Sequence, residues 1–336
     1  MPLSHADIVL LGCGIHNLVI ADRIAQNLKH IKVLAIDVNF KPGGCLAPIS
    51  TIAGSVSLVP VVSIERSSDI QAEIEILKDG DFERKFAGYE DPNNFQRLWF
   101  SEWVHAFQLG KVKIELNPTR NFYRHSIPRI LANISFISLN SRSIKLSNGI
   151  VIRYHLALST WPLDIILSKI IDLPRDCAEL LTHLKAVSTH ITIVVEKLDK
   201  EVENLVKLYL HGTRASRTHT FLKVFLGTHA IVYAYTSFSR RYPPLPGMIE
   251  KIFSELKRFK IVDMKKVVDE KHGVVTYSAI SRVDRELVRK CTYTLESYGF
   301  LLCERLGIWR DSSLSDIISS AASNYQKVLN YVIEIE

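Results

Sequence analysis

Residues 8–37 place a short apolar run, a glycine turn, an apolar helical pattern, a second apolar run and an acid in that order, and this constrains the fold more than any other stretch. Residues 8–11 read Ile-Val-Leu-Leu, the pattern of a strand buried on both faces. Gly12-Cys13-Gly14 follows at once. Apolar positions then recur at helical spacing through Ile15, Leu18, Ile20, Ile24 and Leu28, and residues 33–36 form a second buried run ending in Asp37. A strand, tight turn, helix and parallel strand make a βαβ unit. Gly12 permits the turn, and Gly14 lets a diphosphate approach the backbone at the helix N-terminus. Asp37 stands where an acid accepts from a ribose hydroxyl. Asn17 occupies the position of the third glycine that usually allows helix and strand to touch. Its amide is available to a phosphate oxygen or the following loop. On the turn alone, a nucleotide site and a βαβ unit without ligand stay equally open.

Further along, residues 133–147 alternate in the β manner, and Asn148-Gly149 is a hairpin turn signal. Residues 150–170 begin as strand and become helix after Pro162. Residues 187–196, and then "LVKLYLHG", "HTFLKVFLG", "HAIVYAYTSF" and "HGVVTYSAI", read as five strands of an antiparallel sheet. Two amphipathic helices, "GMIEKIFSELKRF" and "SRVDRELVRKCTYTLESYG", belong around it. Residues 68–86 read as a polar helix, followed by an aromatic-rich helix within "NNFQRLWFSEWVHAFQLG". Phe300 to Cys303 reads as a last buried strand, and Ser313 with Asp316 as a capping box for a final helix.

Asp37 is followed six residues later by Gly43-Gly44. This resembles the second part of the flavin fingerprint shared by amine oxidases, protoporphyrinogen oxidases and UDP-galactopyranose mutases. There an acid ends the second strand and a glycine pair passes against the pyrophosphate. Ser159-Thr160-Trp161-Pro162-Leu163 is similar to their strand–Thr-x-Pro–helix element, and "CERLGIWR" to their closing motif, with Arg305, Leu306 and Gly307 in pattern and Trp309 at the aromatic position. Glu304 replaces the family's glycine and Ser315 its usual acid. The resemblance covers residues 1–60, 130–200 and 270–330. It implies an α/β fold, in which a Rossmann-like, NAD(P)-binding-like FAD domain is assembled from discontinuous segments, with an inserted substrate domain of antiparallel sheet and helices. The expected division is 1–60, 130–165 and 296–336 for the FAD domain, 61–129 for a helical substrate-side insertion, and 166–295 for the substrate domain. The implied cofactor is FAD, bound by Gly12, Gly14, Asn17, Asp37, Gly43, Gly44, Arg305 and Gly307. The implied activity is hydride transfer from a small-molecule, anionic-class substrate to flavin. A mutase-like isomerase of a sugar nucleotide and a non-catalytic relic of the family are the alternatives.

The net charge of +7 over 336 residues fits an anionic ligand, and no dense Lys/Arg block interleaves with aromatics, which argues against nucleic acid. No apolar run is long enough to span a bilayer, and no signal peptide is evident. The five scattered cysteines show neither metal spacing nor a disulfide framework, so a reduced, cytoplasmic chain without metal is expected. No GxSxG, HExxH or P-loop is present, and no catalytic acid or base stands out. Several side chains keep two readings. Cys45 sits beside flavin or is a packing residue. His16 faces phosphate, or caps and is solvated. Arg120, Arg124 and His125, like Arg240 and Arg241, bind an anion or are solvated. Trp99, Trp103 and Phe107 share a helical face, with core packing favoured over a ligand wall.

Overall fold

The computed structural model describes residues 5–65, 69–78, 80–96, 98–121, 127–212 and 217–335. It is a mixed α/β chain that divides into two compact units, residues 1–47, 119–184 and 282–336 in one, and 48–118 and 185–281 in the other. The breaks therefore fall at 47, 118, 184 and 281, whereas the boundaries expected from the sequence lie at 60, 129, 165 and 295. They place the helices Leu163–Lys169, Arg175–Leu181 and Arg285–Ser297 in the first unit.

In the first unit five strands run parallel in the order Arg129–Leu131, Val33–Asp37, His5–Leu11, Val151–Ser159, Phe300–Leu302. Ser143–Leu146 and Ile134–Ser138 continue antiparallel from the start of Val151–Ser159, through the Asn148-Gly149 turn. The helices Ile15–Asn27 and Leu314–Ile335 cover one face. Ile20, Ala21 and Ile24 of the first pack with Ala321, Tyr325 and Val328 of the second over Ile8, Leu10, Leu156 and Leu158. Full burial of each such aliphatic side chain contributes about 1.5–3 kcal/mol. The expected capping box opens the last helix, with Ser313 N donating to Asp316 Oδ2 (3.0 Å) and Asp316 N to Ser313 Oγ (3.2 Å).

The expectation of a chain without a disulfide is corrected here: Cys177 and Cys291 are bonded. Each lies on a short helix, and the packing of Arg175–Leu181 against Arg285–Ser297 brings their Cα atoms to 4.9 Å across a sequence separation of 114. No local spacing carries that signal. Cys13 and Cys303 are buried thiols, whereas Cys45 is exposed.

The second unit is built on a sheet ordered Val267–Ile280, Ala186–Val202, Thr218–Phe238, Leu205–His211, Gln71–Lys78. Its pairs are antiparallel except the last, which is parallel. Two expectations change. The helix expected over 68–86 is largely the strand Gln71–Lys78, with only Phe82–Phe86 helical. Ala72 and Ile74 turn toward the core in a two-residue period, while Glu73 faces Lys207 on the neighbouring strand at 2.6 Å. That cross-strand pair cannot form on a helix. Likewise "HTFLKVFLG" and "HAIVYAYTSF" are one strand, Thr218–Phe238. Gly227, at φ +63°, marks where its partner changes from Leu205–His211 to Ala186–Val202.

Trp103 and Phe107 lie in the core on one side of this sheet, which favours the packing reading of the aromatic helix. The Trp99 side chain lies outside the described residues. Ile252 and Leu256 of Met248–Arg258 pack against the other side, one helical turn apart.

Candidate functional site

The carboxyl end of His5–Leu11 is where strand order reverses direction. Val33–Asp37 lies on one side of it and Val151–Ser159 on the other. Such a switch point opens a crevice at the strand ends. Gly12 adopts φ +87°, a conformation that disfavours a side chain, and its N–H donates to Ile36 O at 2.8 Å. A Cβ on Gly12 would lie 2.5 Å from Thr160 Oγ1 and 2.7 Å from Trp161 Cδ1, so the Thr160-Trp161 loop walls the turn. Thr160 Oγ1 itself donates to Leu11 O at 3.1 Å.

The two halves of the expected fingerprint meet at Cys13. Its N–H donates to Asp37 Oδ2 at 2.7 Å, and its carbonyl accepts from Gly43 N at 2.7 Å. Asp37 is buried at 4 % exposure, and its Oδ1 accepts from Asn39 N at 2.9 Å. Burial, with the nearby Asp37 charge adding to it, pushes the Cys13 thiol up to about 12, so it carries no thiolate chemistry. Gly43 and Gly44 both have positive φ, and no atom stands within 4 Å of where a Gly44 Cβ would be. Gly44 thus faces open space, whereas a Cβ on Gly43 would meet Thr119 Cγ2 at 2.9 Å and the Ala47 backbone at 3.2 Å, so Gly43 is a close-packing position.

Asn17 is placed differently from the expectation of a phosphate or loop contact. It is buried at 1 % exposure and its Nδ2 turns inward, donating to Gly12 O (2.8 Å), Leu11 O (3.2 Å) and Leu158 O (3.4 Å). The amide bridges helix and strand ends where a glycine would allow direct contact. His16 neither faces phosphate nor is solvated: it is fully buried. Its Nε2 accepts from Asn324 Nδ2 at 2.9 Å, which leaves Nδ1–H to donate to Asn17 Oδ1 at 3.2 Å. Burial lowers this imidazole to about 4, so it is neutral with the proton on Nδ1.

The C-terminal segment closes the site from above. Cys303 N donates to Ser159 O at 2.8 Å, and a Cβ on Gly307 would meet that same carbonyl at 2.6 Å. Gly307 is therefore a close-packing position. Arg305 Nε donates to buried Asp311 Oδ1 at 2.5 Å. Glu304 stands at φ +64°. Its Oε2 lies 2.5 Å from where a Gly14 Cβ would be, at the start of the thirteen-residue helix Ile15–Asn27. Burial raises this carboxyl to about 7, with Arg305 opposing the rise.

Sequence reasoning missed Arg129. It sits on the strand beside Val33–Asp37, its charge acts on Cys13, and its Nη2 donates to Phe40 O at 2.8 Å, tying down the loop that follows Asp37. Only strand pairing brings it there. Arg124 and His125 lie outside the described residues, whereas Arg120, Arg240 and Arg241 are exposed. In the second unit Phe82, Phe86, Phe100, Val104, His105 and Leu210 are among the residues lining a cavity of about 250 Å³, which also had no sequence signature.

The chain shares its overall fold with several solved structures. Among solved structures the chain is similar to reduced UDP-galactopyranose mutase, at TM-score 0.66 and 12 % identity over 97 % of this chain and 94 % of that one. It is also similar to a protein from Exiguobacterium sp. 255-15 assigned as a protoporphyrinogen oxidase, at TM-score 0.68 and 10 % identity over 97 % and 99 %. A putrescine oxidase variant redesigned in its cofactor binding aligns at TM-score 0.59 and 10 % identity over 98 % and 100 %. No protein-family model matches the sequence, and a search of curated proteins finds no match.

Proposed function

We propose that the chain is an FAD-binding flavoprotein and an oxidoreductase of the amine oxidase and protoporphyrinogen oxidase type. The observation that carries this is the clamp on Cys13: Asp37 and Gly43 hold both its backbone groups, so the turn, the acid and the glycine pair form one cradle. The residues fit the group. Gly12 and Gly14 put no side chain of their own at the helix N-terminus, where a diphosphate would bind. Asp37 retains carboxylate lone pairs for a ribose hydroxyl, and Gly44 faces open space. At Gly14 the intruding side chain is that of Glu304, through the far end of its flexible stem. Bound flavin would supply the redox chemistry by accepting a hydride from the substrate. The chain's own part is to hold the cofactor, exclude water and position a small-molecule substrate.

Glu304 also favours a second reading, a non-catalytic relic, because a carboxylate at the helix start competes with phosphate. One experiment separates them. Protein saturated with FAD should show bound-flavin absorbance and a higher melting temperature, since ligand at a hundredfold over its Kd stabilises by about 2.7 kcal/mol. Absence of both with FAD, FMN and NAD would leave the relic. Turnover only after dithionite reduction would assign a mutase-like isomerase instead.

A further inference from the structure

At the other end of the first strand, away from the glycine turn, three metal-ligating side chains converge. His5 and Asp7 are two residues apart on His5–Leu11 and so share a face. Val151–Ser159 pairs with it in parallel, Ala6 beside Tyr154 and Ile8 beside Leu156, which sets His155 beside Asp7 on that face. The ligand atoms of His5, Asp7 and His155 all lie within 4.8 Å of one another. His5 Nε2 is 3.4 Å from Asp7 Oδ1, and the two imidazole rings meet edge to face at 4.8 Å.

The frame behind them is rigid. Asp7 Oδ2 accepts from Lys32 N at 2.8 Å while Asp7 N donates to Lys32 O at 2.9 Å, so the carboxylate is aimed by a backbone partner. His155 O accepts from Tyr331 Oη at 2.8 Å, and Arg142 Nη1 donates to the same hydroxyl at 2.7 Å, which pins the strand at that position. Hydrogen bonds of this kind orient metal ligands in established sites. The His5 and Asp7 side chains are 42 % and 25 % exposed, so an ion can enter.

We propose that His5, Asp7 and His155 form a binding site for a divalent transition-metal ion, with zinc as the cellular candidate. Two imidazole nitrogens and one carboxylate oxygen suit a borderline cation rather than calcium or magnesium, which take oxygen ligands. Tetrahedral zinc with bonds of about 2.0–2.2 Å needs donors about 3.3 Å apart. The ligand atoms, within 4.8 Å of one another, close to that separation by side-chain rotation that brings the widest pair about 1.5 Å nearer, with water in the fourth position. Four residues of strand, Ile8 to Leu11, separate Asp7 from Gly12, a span of about 16 Å. The metal therefore acts as a staple between the first strand and Val151–Ser159, independently of flavin.

The test is titration of the full chain with zinc chloride at pH 7.5, where imidazole binds metal in its neutral form. A Cys45→Ser background removes the exposed thiol as a competing ligand. One zinc per chain should bind saturably and raise the melting temperature. Asp7→Asn and His155→Gln should each weaken binding at least tenfold, and His5→Gln, at the most exposed of the three positions, provides the readout should either of those fail to fold. Absence of saturable binding, or zinc affinity within twofold of the parent in the folded variants, overturns the proposal.

Discussion

Glu304→Gly tests whether this position carries both backbone strain and an ill-placed charge. A non-glycine residue in the left-handed region costs roughly 1–2 kcal/mol. Glycine's greater freedom in the unfolded chain offsets about 0.4–1 kcal/mol of the gain, so relief of φ +64° should stabilise by about 1 kcal/mol at any pH. The charge adds a pH-dependent part. The carboxyl is raised from 4.5 to about 7 in the folded state, so the native protein holds its proton more tightly than the unfolded chain. Its contribution to stability is therefore complete below pH 4.5 and is lost as pH rises through about 7. At 1.36 kcal/mol per pH unit the full loss is about 3 kcal/mol. At pH 5 the glycine variant should exceed wild type by about 1–2 kcal/mol, and at pH 8 by about 4 kcal/mol. Glu304→Gln keeps the backbone strain and removes the charge, so it should show only the pH-dependent gain. Urea denaturation of all three proteins at pH 5, 6.5 and 8 measures this. The same wild-type-to-glutamine difference at every pH would refute the electrostatic reasoning. A glycine variant no better than glutamine at pH 5 would refute the strain. On the proposed function, both variants should also bind FAD more tightly than wild type at pH 8.

Asn17→Gly should destabilise by about 2–3 kcal/mol in chemical denaturation, because three buried carbonyls and His16 lose their amide partner. His16, lowered from 6.5 to about 4 by burial, makes stability full above pH 6.5 and about 3 kcal/mol lower by pH 4; His16→Gln should flatten that decline in acid titrations followed by circular dichroism. Thiol titration should find one accessible group in the native protein, Cys45, three in denaturant and five after reduction. Reducing the Cys177–Cys291 bond should cost about 2–4 kcal/mol, read as a shift of the urea midpoint. On the proposed function, Asp37→Ala should weaken FAD by about 1.5–3 kcal/mol in fluorescence titration, with unchanged affinity locating the nucleotide elsewhere.

The first βαβ unit, the Asn148-Gly149 hairpin, the Ser313–Asp316 capping box and the strand-to-helix change at Pro162 were legible in the sequence. Each is a local matter: hydrophobic period, turn chemistry and capping act within a few residues, so a short window contains their cause. The meeting of Gly12, Asp37 and Gly43 was legible because those positions recur as a pattern in related folds. What only tertiary structure decided involves partners far apart in the chain. Gln71–Lys78 is a strand because Leu205–His211 supplies its hydrogen bonds and Lys207 its ion pair. Asn17 turns inward because the carbonyls of Leu11, Gly12 and Leu158 converge on its amide. Cys177 finds Cys291, and His5 with Asp7 finds His155, through helix packing and strand pairing. Local propensity selects conformations residue by residue. The identity of a distant neighbour follows from how buried faces and strand edges are satisfied together, and that depends on the whole fold.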